Sequence, residues 1–548
     1  MNDMPWIKSY PVGIRWDAEI RTGPVQDILR ETAAKYPDRP AIDFMGRRIT
    51  YRELGDLTDR AACGLQRLGV GPGVHVGLFL PNTPHYLIAF FGVLKAGGTA
   101  VNYSPLDAAK VLEHKIEDSR TDILMTLDLS ALYPQMAAML GTTRLKTLVV
   151  GSLAEMAGDP QAVAAQMKAA KQIADVLPDE RQITFAQLLD NDGRYEEHPV
   201  ADPSDAIAVL QYTGGTTGLP KGAPRDSVSP LATAQIIDRI PFPHQGTMVI
   251  VSPIFHSTGL ATYLVGAALG NKVVTTRRFN PERTLALIAE HRADMLVAVP
   301  TMLHRIVELP AETIARYDTS SLKAIVIAGS ALTPELSNHA QDTFGDVLYN
   351  LYGSTEVAIA TVAQPKELRL APGTVGRAPV TSRLALFDDK GNRISGTNVR
   401  GRLFVRNGAP FEGYTDGRNK EIIDGYMSTG DMARFDEHGL LHIDGRDDDM
   451  IVSGGENVYP LEVENLLGEH PDIDDVAVIG VDDDEYGKRL RAFIVAAEHA
   501  NPTPEDIKAH VKKHLARYKV PRDVVFVEDL PRNPTGKLVR RHLPTGPL

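Results

Sequence analysis

The sequence predicts an α/β protein. A large N-terminal region of two doubly wound α/β units plus a small antiparallel β-barrel is followed by a small α+β domain. Three observations carry this. Short apolar runs alternate with segments of helical spacing twice, over residues 26–127 and 247–347. From about residue 374 the texture changes to short strands joined by turns. After a polar break at 445–449 a further unit of helices and strands begins, of roughly 100 residues and so able to fold alone. At 548 residues the chain also exceeds a single core, and division is expected.

In order, residues 26–37 and 50–69 have helical spacing, with a strand at 41–44 between them. Residues 74–80 read as a strand closed by Pro81-Asn82, 87–94 as an apolar helix, 99–103 as a strand, 107–119 as a helix and 123–127 as a strand. Strands separated by helices imply βαβ units and a mostly parallel sheet, with right-handed crossovers placing helices on both faces. Residues 153–182, rich in Ala, Gln, Met and Lys, predict a surface helical excursion with no nameable chemistry. The second unit has strands at 248–251, 272–276, 295–299 and 324–328, with helices at 281–291 and 301–308. Residues 384–387, the turn 388–392 and residues 402–405 then form strand, turn, strand, and this pattern runs to about Ile443, as in a small barrel. The last unit is a helix at 458–470 with Pro460 near its start, strands at 476–481 and 490–496, a helix at 504–515 and a strand at 524–527.

Composition is that of a globular protein, 23% charged and 43% hydrophobic. A net charge of −12 leaves no basic excess for coating a nucleic acid, so no nucleic-acid partner is expected. The single cysteine, Cys63, allows no intrachain disulfide and sits in an amphipathic stretch as a packing thiol. The start of the chain shows no signal-peptide pattern, and no apolar run reaches about 18 residues. A soluble cytoplasmic protein without a transmembrane segment is the expectation.

The chemistry is concentrated at Tyr212-Thr213-Gly214-Gly215-Thr216-Thr217-Gly218-Leu219-Pro220-Lys221-Gly222. Four glycines, three threonines and a lysine within eleven residues follow a short buried strand at 206–210. Glycines let the backbone turn sharply and approach an anion closely. Hydroxyls and bare N–H groups donate, and the lysine adds a charge, which suits a loop that wraps phosphate. It is not a Walker A loop, because Gly222 rather than Ser or Thr follows Lys221. Read alone it is also an ordinary hairpin loop.

This stretch resembles the phosphate loop of the adenylate-forming superfamily, which includes acyl-CoA synthetases, luciferases and nonribosomal adenylation domains. Its Gln211-Tyr212-Thr213-Gly214-Gly215 opening is most similar to bacterial fatty-acyl-CoA synthetases. Further motifs continue the resemblance from about residue 25 to 541. Tyr352-Gly353-Ser354-Thr355-Glu356 is similar to the motif that supplies an aromatic beside adenine and a carboxylate for Mg²⁺, a role that suits a hard cation beside phosphate; Thr216 would be the second metal contact. Ser428-Thr429-Gly430-Asp431 matches the stretch whose aspartate holds the ribose, and Arg446 adds a cation on that side. Phe255-His256-Ser257-Thr258-Gly259 resembles the motif beside the acyl pocket. That assigns His256 to the pocket, and Gly329 to both pocket and nucleotide. Pro534-Thr535-Gly536-Lys537 matches the loop whose lysine lies between carboxylate and α-phosphate, where an ammonium lowers the barrier to bringing two anions together. Ser453-Gly454-Gly455-Glu456 matches the loop lining the pantetheine tunnel. Taken singly, these motifs also read as solvated turns, a helix cap, a structural histidine and a basic tail.

The resemblance implies an ATP-dependent acyl-CoA synthetase, with Lys537, Thr216 and Glu356 as catalytic residues and ATP, Mg²⁺ and coenzyme A as co-substrates or cofactors. A carboxylic acid, most readily a medium- or long-chain fatty acid, would pass through an acyl-adenylate to its CoA thioester. A dicarboxylate or aryl acid, or loading of a carrier protein, are the alternatives, and peripheral membrane contact and a homodimer are compatible with the family. It implies an N-terminal adenylation domain at 1–445 and a mobile C-terminal lid at 446–548, hinged near Asp448. Two departures stand out. Residues 223–228, Ala-Pro-Arg-Asp-Ser-Val, replace the usual Leu-Thr-His type stretch, and residues 260–263 lack the tryptophan some long-chain enzymes use as a gate.

Overall fold

The computed structural model describes residues 23–200, 202, 206–213, 220–226, 239–380, 382–408, 411–447, 449, 451–453, 456–483, 487–533 and 536–546. Two mainly parallel sheets form the bulk of the large lobe. The first runs in the order Gln182–Thr184, Thr147–Gly151, Ile123–Leu127, His75–Leu78, Thr99–Asn102, Ile207–Thr213, Lys221–Asp226. Only its last pair is antiparallel. The second runs Ala358–Ala363, Leu348–Ser354, Ala324–Ile327, Met295–Ala298, Thr247–Ile250, Lys272–Val274, Pro40–Phe44, Arg47–Thr50. It is antiparallel only at its two edges.

Chain order groups the strand at 41–44 with the first unit, yet it pairs in the second sheet, Ile42 opposite Val273. Side chains around it fix that choice. The Tyr51 hydroxyl donates to the Asn271 carbonyl at 2.6 Å and the Thr32 hydroxyl to the Ala267 carbonyl at 3.0 Å, both buried. The two sheets consequently share one apolar core. At its centre the helix Pro84–Lys95 is buried along its whole length, as a helix apolar on all sides must be. Gly92 lets the helix Tyr51–Arg67 come close, since a Cβ there would lie 2.6 Å from the Ala61 Cβ. Lys95 ends the helix with its ammonium 2.7 Å from both Thr58 and Asp59, which offsets the cost of burying it.

The expected excursion at 153–182 is only partly helical. Leu153–Met156 is a 3₁₀ turn, Pro160–Ala169 a helix, and Gln182–Thr184 an edge strand of the first sheet. The small antiparallel unit is a six-stranded sheet built around the long strand Tyr426–Phe435, which pairs with Gly401–Arg406, Ile422–Ile423 and Leu441–Arg446.

The small lobe has its own five-stranded sheet, Ile451–Ser453, Glu456–Val458, Ile473–Asp483, Gly487–Ala496 and Asp523–Phe526. The helices Pro460–Gly468 and Pro504–His514 pack on it through Val463, Leu467, Ile507 and Val511. Arg540 is its internal staple. Its guanidinium donates to both oxygens of the buried Glu464 at 2.7 and 2.6 Å, and that carboxylate also accepts from the Val478 N–H at 2.7 Å. Removing one partner strands the other as a buried charge. Arg540→Ala is expected to destabilise this lobe by about 3 kcal/mol, seen as a lower thermal midpoint with the large lobe's transition unmoved.

Among the described residues, contacts between the small lobe and the large one include two ion pairs and a close glycine approach. Arg400 reaches Asp444 at 3.0 Å within the large lobe and Glu462 at 3.2 Å across the seam, and its guanidinium lies 5.5 Å from the Tyr459 ring. His304 stands 3.9 Å from Asp474. Gly536, at φ +77°, sits against Thr301, where a Cβ would lie 2.2 Å from the hydroxyl oxygen. Among the described residues no helix is long and apolar enough to cross a membrane.

Candidate active site

The strands that carry the site end on one side of the parallel sheets, where ligands of open α/β sheets bind. Thr213 and Lys221 face each other across the antiparallel pair Ile207–Thr213 and Lys221–Asp226, so the phosphate-loop candidate springs from the mouth of a hairpin. Gly214, Gly215, Thr216, Thr217 and Gly218 lie outside the described residues, as do Asp448, Gly454 and Gly455. The Lys221 ammonium stands 5.1 Å from the Tyr414 ring centroid.

Tyr352, Gly353 and Ser354 end the strand Leu348–Ser354. Gly353 is required by the tight return of the chain, because a Cβ would lie 1.8 Å from the Ala358 carbonyl oxygen. The Ser354 hydroxyl accepts from the N–H groups of Glu356 and Val357 at 3.2 and 3.3 Å, and the Thr355 hydroxyl is 3.3 Å from that of Ser257. These bonds fix Glu356, which is buried. Burial alone would raise its carboxyl. Hydrogen bonds from Tyr414 and Ser354 and the charge of Lys420 outweigh burial and hold it below the usual range, so it stands ready as an anion.

Asp431 and Arg446 are opposite one another in the ladder of Tyr426–Phe435 with Leu441–Arg446. Arg446 pairs with one Asp431 oxygen at 3.2 Å, and the Tyr352 hydroxyl donates to the other. Gly430, at φ +78°, makes room, since a Cβ would come within 3.0 Å of the Arg446 guanidinium. Burial raises the Asp431 carboxyl despite these partners. The adenine-side and ribose-side candidates thus form one hydrogen-bonded unit.

Lys537 comes from the small lobe to this unit. Although the residue is exposed, partial desolvation and then Arg446 lower its ammonium pKa, while Asp431 and Asp449 act against the shift. His256, directly before the helix Ser257–Ala268, is pushed down to about 4, by burial first and then by the charges of Lys537 and Lys115. Its imidazole is therefore neutral at physiological pH and can meet a carboxylate without carrying charge. The charge of Lys537 is felt at both Asp431 and His256.

Gly329 follows the strand Ala324–Ile327 in the left-handed region, at φ +101°, with Val299 as its neighbour. Ser453 is buried at the end of Ile451–Ser453, opposite Glu456, in the small lobe's sheet. Among the described residues neither shares a hydrogen bond with the Asp431 cluster. Two residues that carry weight here belong to no motif. Arg225, in the atypical segment, is buried on Lys221–Asp226 and donates to the Glu356 carbonyl at 3.2 Å, its pKa lowered by burial to about 10. The other is Tyr414. Neither is marked by a local sequence signal, because only the folded chain brings them to Glu356.

The run of three aspartates divides by its contacts. The Asp447 N–H donates to the Gly430 carbonyl at 2.9 Å and its carboxylate meets Arg402 at 3.3 Å, both in the large lobe. Asp449 pairs with Arg540 of the small lobe at 3.5 Å.

Residues 29–415 match the family model described as AMP-binding enzyme, and residues 462–537 that of the AMP-binding enzyme C-terminal domain. Among curated proteins the chain is similar to a long-chain-fatty-acid–CoA ligase of Bacillus subtilis (strain 168), 30% identical over 550 residues, covering 98% of this chain and 97% of the relative. It is similar also to an oxalate–CoA ligase of Arabidopsis thaliana, 30% identical over 525 residues, covering 94% and 96%. Among solved structures it resembles the amide bond synthetase McbA of Marinactinospora thermotolerans, with a TM-score of 0.80 at 26% identity, covering 94% of this chain and 98% of the other. The anthranilate CoA ligase AuaEII shares the fold, with a TM-score of 0.82 at 24% identity, covering 96% and 98%.

Proposed function

Because this chain belongs to the AMP-binding enzyme family, we propose that it is an ATP-dependent acyl-CoA synthetase. It takes a medium- or long-chain fatty acid through an acyl-adenylate to the CoA thioester, releasing AMP and pyrophosphate. The observation that supports the reading is electrostatic: the charge of Lys537, from the small lobe, acts on both Asp431 and His256.

In the first half-reaction Asp431 accepts from the ribose hydroxyls, with Tyr352 beside the base. Lys537 lies between the carboxylate and the α-phosphate and offsets their repulsion. Neutral His256 borders the entering acid without repelling or trapping it. Glu356 and Thr216 would hold Mg²⁺. The buried, anionic Glu356 suits a cation that takes one or two carboxylates and fills its shell with phosphate oxygens and water. When bound, that ion neutralises phosphate charge. The second half-reaction needs CoA where Lys537 would act, so the small lobe, the residues after Asp448, turns about that position and presents the loop 453–456 instead. No covalent enzyme intermediate is required.

A second reading, a dicarboxylic acid, is favoured by the likeness to an oxalate–CoA ligase. A ligation screen decides between them: purified protein, ATP and CoA against saturated acids of graded length, aromatic acids and diacids, with a carrier protein in a parallel arm. AMP and acyl-CoA forming fastest with medium or long chains is the expected result. Turnover confined to diacids or aryl acids, or transfer only to the carrier protein, overturns it.

A further inference from the structure

Tyr414 belongs to no motif recognised in the sequence, yet it meets both charged groups at the phosphate side of the site. Its hydroxyl donates to the Glu356 carboxylate. The Lys221 ammonium lies 5.1 Å from its ring centroid, the distance of a cation–π contact. The following residue joins the same hairpin: the Thr415 N–H donates to the Gly222 carbonyl at 2.9 Å, and its hydroxyl donates to Asp118 at 2.9 Å. Gly222 must lack a side chain for this, because a Cβ would lie 2.8 Å from the Thr415 hydroxyl. Tyr414 is itself braced by Phe411, edge-on at 5.0 Å, and by its N–H donating to the Arg418 carbonyl at 2.8 Å.

Lys221 and Glu356 carry opposite charges and meet one side chain, the first at its ring and the second at its hydroxyl. Paired with each other, they would be withdrawn from phosphate and metal. Among the described residues no ion pair joins them; each instead has an uncharged partner on the same side chain.

We propose that Tyr414 is a positioning residue of the nucleotide site. It holds Lys221 and Glu356 apart, each satisfied by a neutral partner, so that the ammonium remains available to the triphosphate and the carboxylate to the metal. The inference rests on the acyl-CoA synthetase reading only in taking MgATP as the occupant.

The test uses the full chain with Tyr414→Phe, which keeps the ring and loses the hydroxyl, and Tyr414→Leu, which loses both. Equilibrium ATP binding is measured with and without Mg²⁺, beside palmitate-dependent pyrophosphate exchange and thermal midpoints. Tyr414→Phe is expected to bind Mg²⁺-free ATP like the parent, and to bind MgATP about tenfold more weakly at a raised Mg²⁺ half-saturation. Tyr414→Leu is expected to lose about tenfold in Mg²⁺-free binding as well. Adding Glu356→Gln to Tyr414→Phe is expected to cost less than the sum of the two, as for groups acting through one contact. Unchanged MgATP affinity in Tyr414→Phe, equal behaviour of the two variants, or losses that only track a lowered midpoint overturn the proposal. If the variants behave as expected but no acid supports exchange, the substrate reading fails and the positioning role stands. If the parent exchanges and Tyr414→Phe matches it throughout, the reverse holds.

Discussion

Lys537→Ala is expected to lower acyl-adenylate formation by about 10² to 10³-fold, measured as pyrophosphate exchange at saturating ATP and acid. The charge of Lys537 is felt at both Asp431 and His256, and in the proposed reaction it acts where two anions must approach. Its contribution belongs to the transition state, so the loss falls on kcat, with the KM for ATP changed far less. Supplied with prepared acyl-adenylate and CoA, the variant is expected to make thioester at nearly the parent rate. A fall in both half-reactions, or an unchanged exchange rate, would refute the role.

Asp448→Pro is expected to divide the two half-reactions. Asp447 is tied to the large lobe through Gly430 and Arg402, and Asp449 to the small lobe through Arg540. If one lobe rotates against the other as proposed, these contacts assign the pivot to the position between them. Proline fixes φ at about −65° and restrains the residue before it, so it locks whichever arrangement it tolerates. Pyrophosphate exchange surviving while CoA thioester falls by at least about tenfold is the expected outcome, as for a residue that absorbs a hinge motion. Loss of both reactions would count against the pivot.

Much of the fold and of the site is legible in the amino-acid sequence. Strand–helix alternation announces parallel sheets, and the glycine–threonine–lysine loop has the residue types that suit phosphate, whereas Tyr352 to Glu356, Asp431 and Lys537 are candidates only through the family resemblance. What stays hidden depends on which strands become neighbours. The strand Pro40–Phe44 joins the second sheet through Tyr51 and Thr32, contacts spanning over 200 residues of sequence that local periodicity cannot express. Tyr414 and Arg225 lack a motif because their value comes from Glu356, which is 58 and 131 positions away respectively. Asp447 and Asp449 are alike as members of one run and become different only when each finds its own arginine.

The ion pairs at the seam between the lobes have a thermodynamic consequence. Arg400–Glu462 and His304–Asp474 are partly exposed pairs, each worth at most about 1 kcal/mol, and Gly536 offers Thr301 no side chain to grip. The bias such pairs give can be reversed by a modest preference of any bound molecule for one arrangement. In the proposed cycle, the molecule that occupies the cleft would then weigh on which arrangement of the lobes prevails.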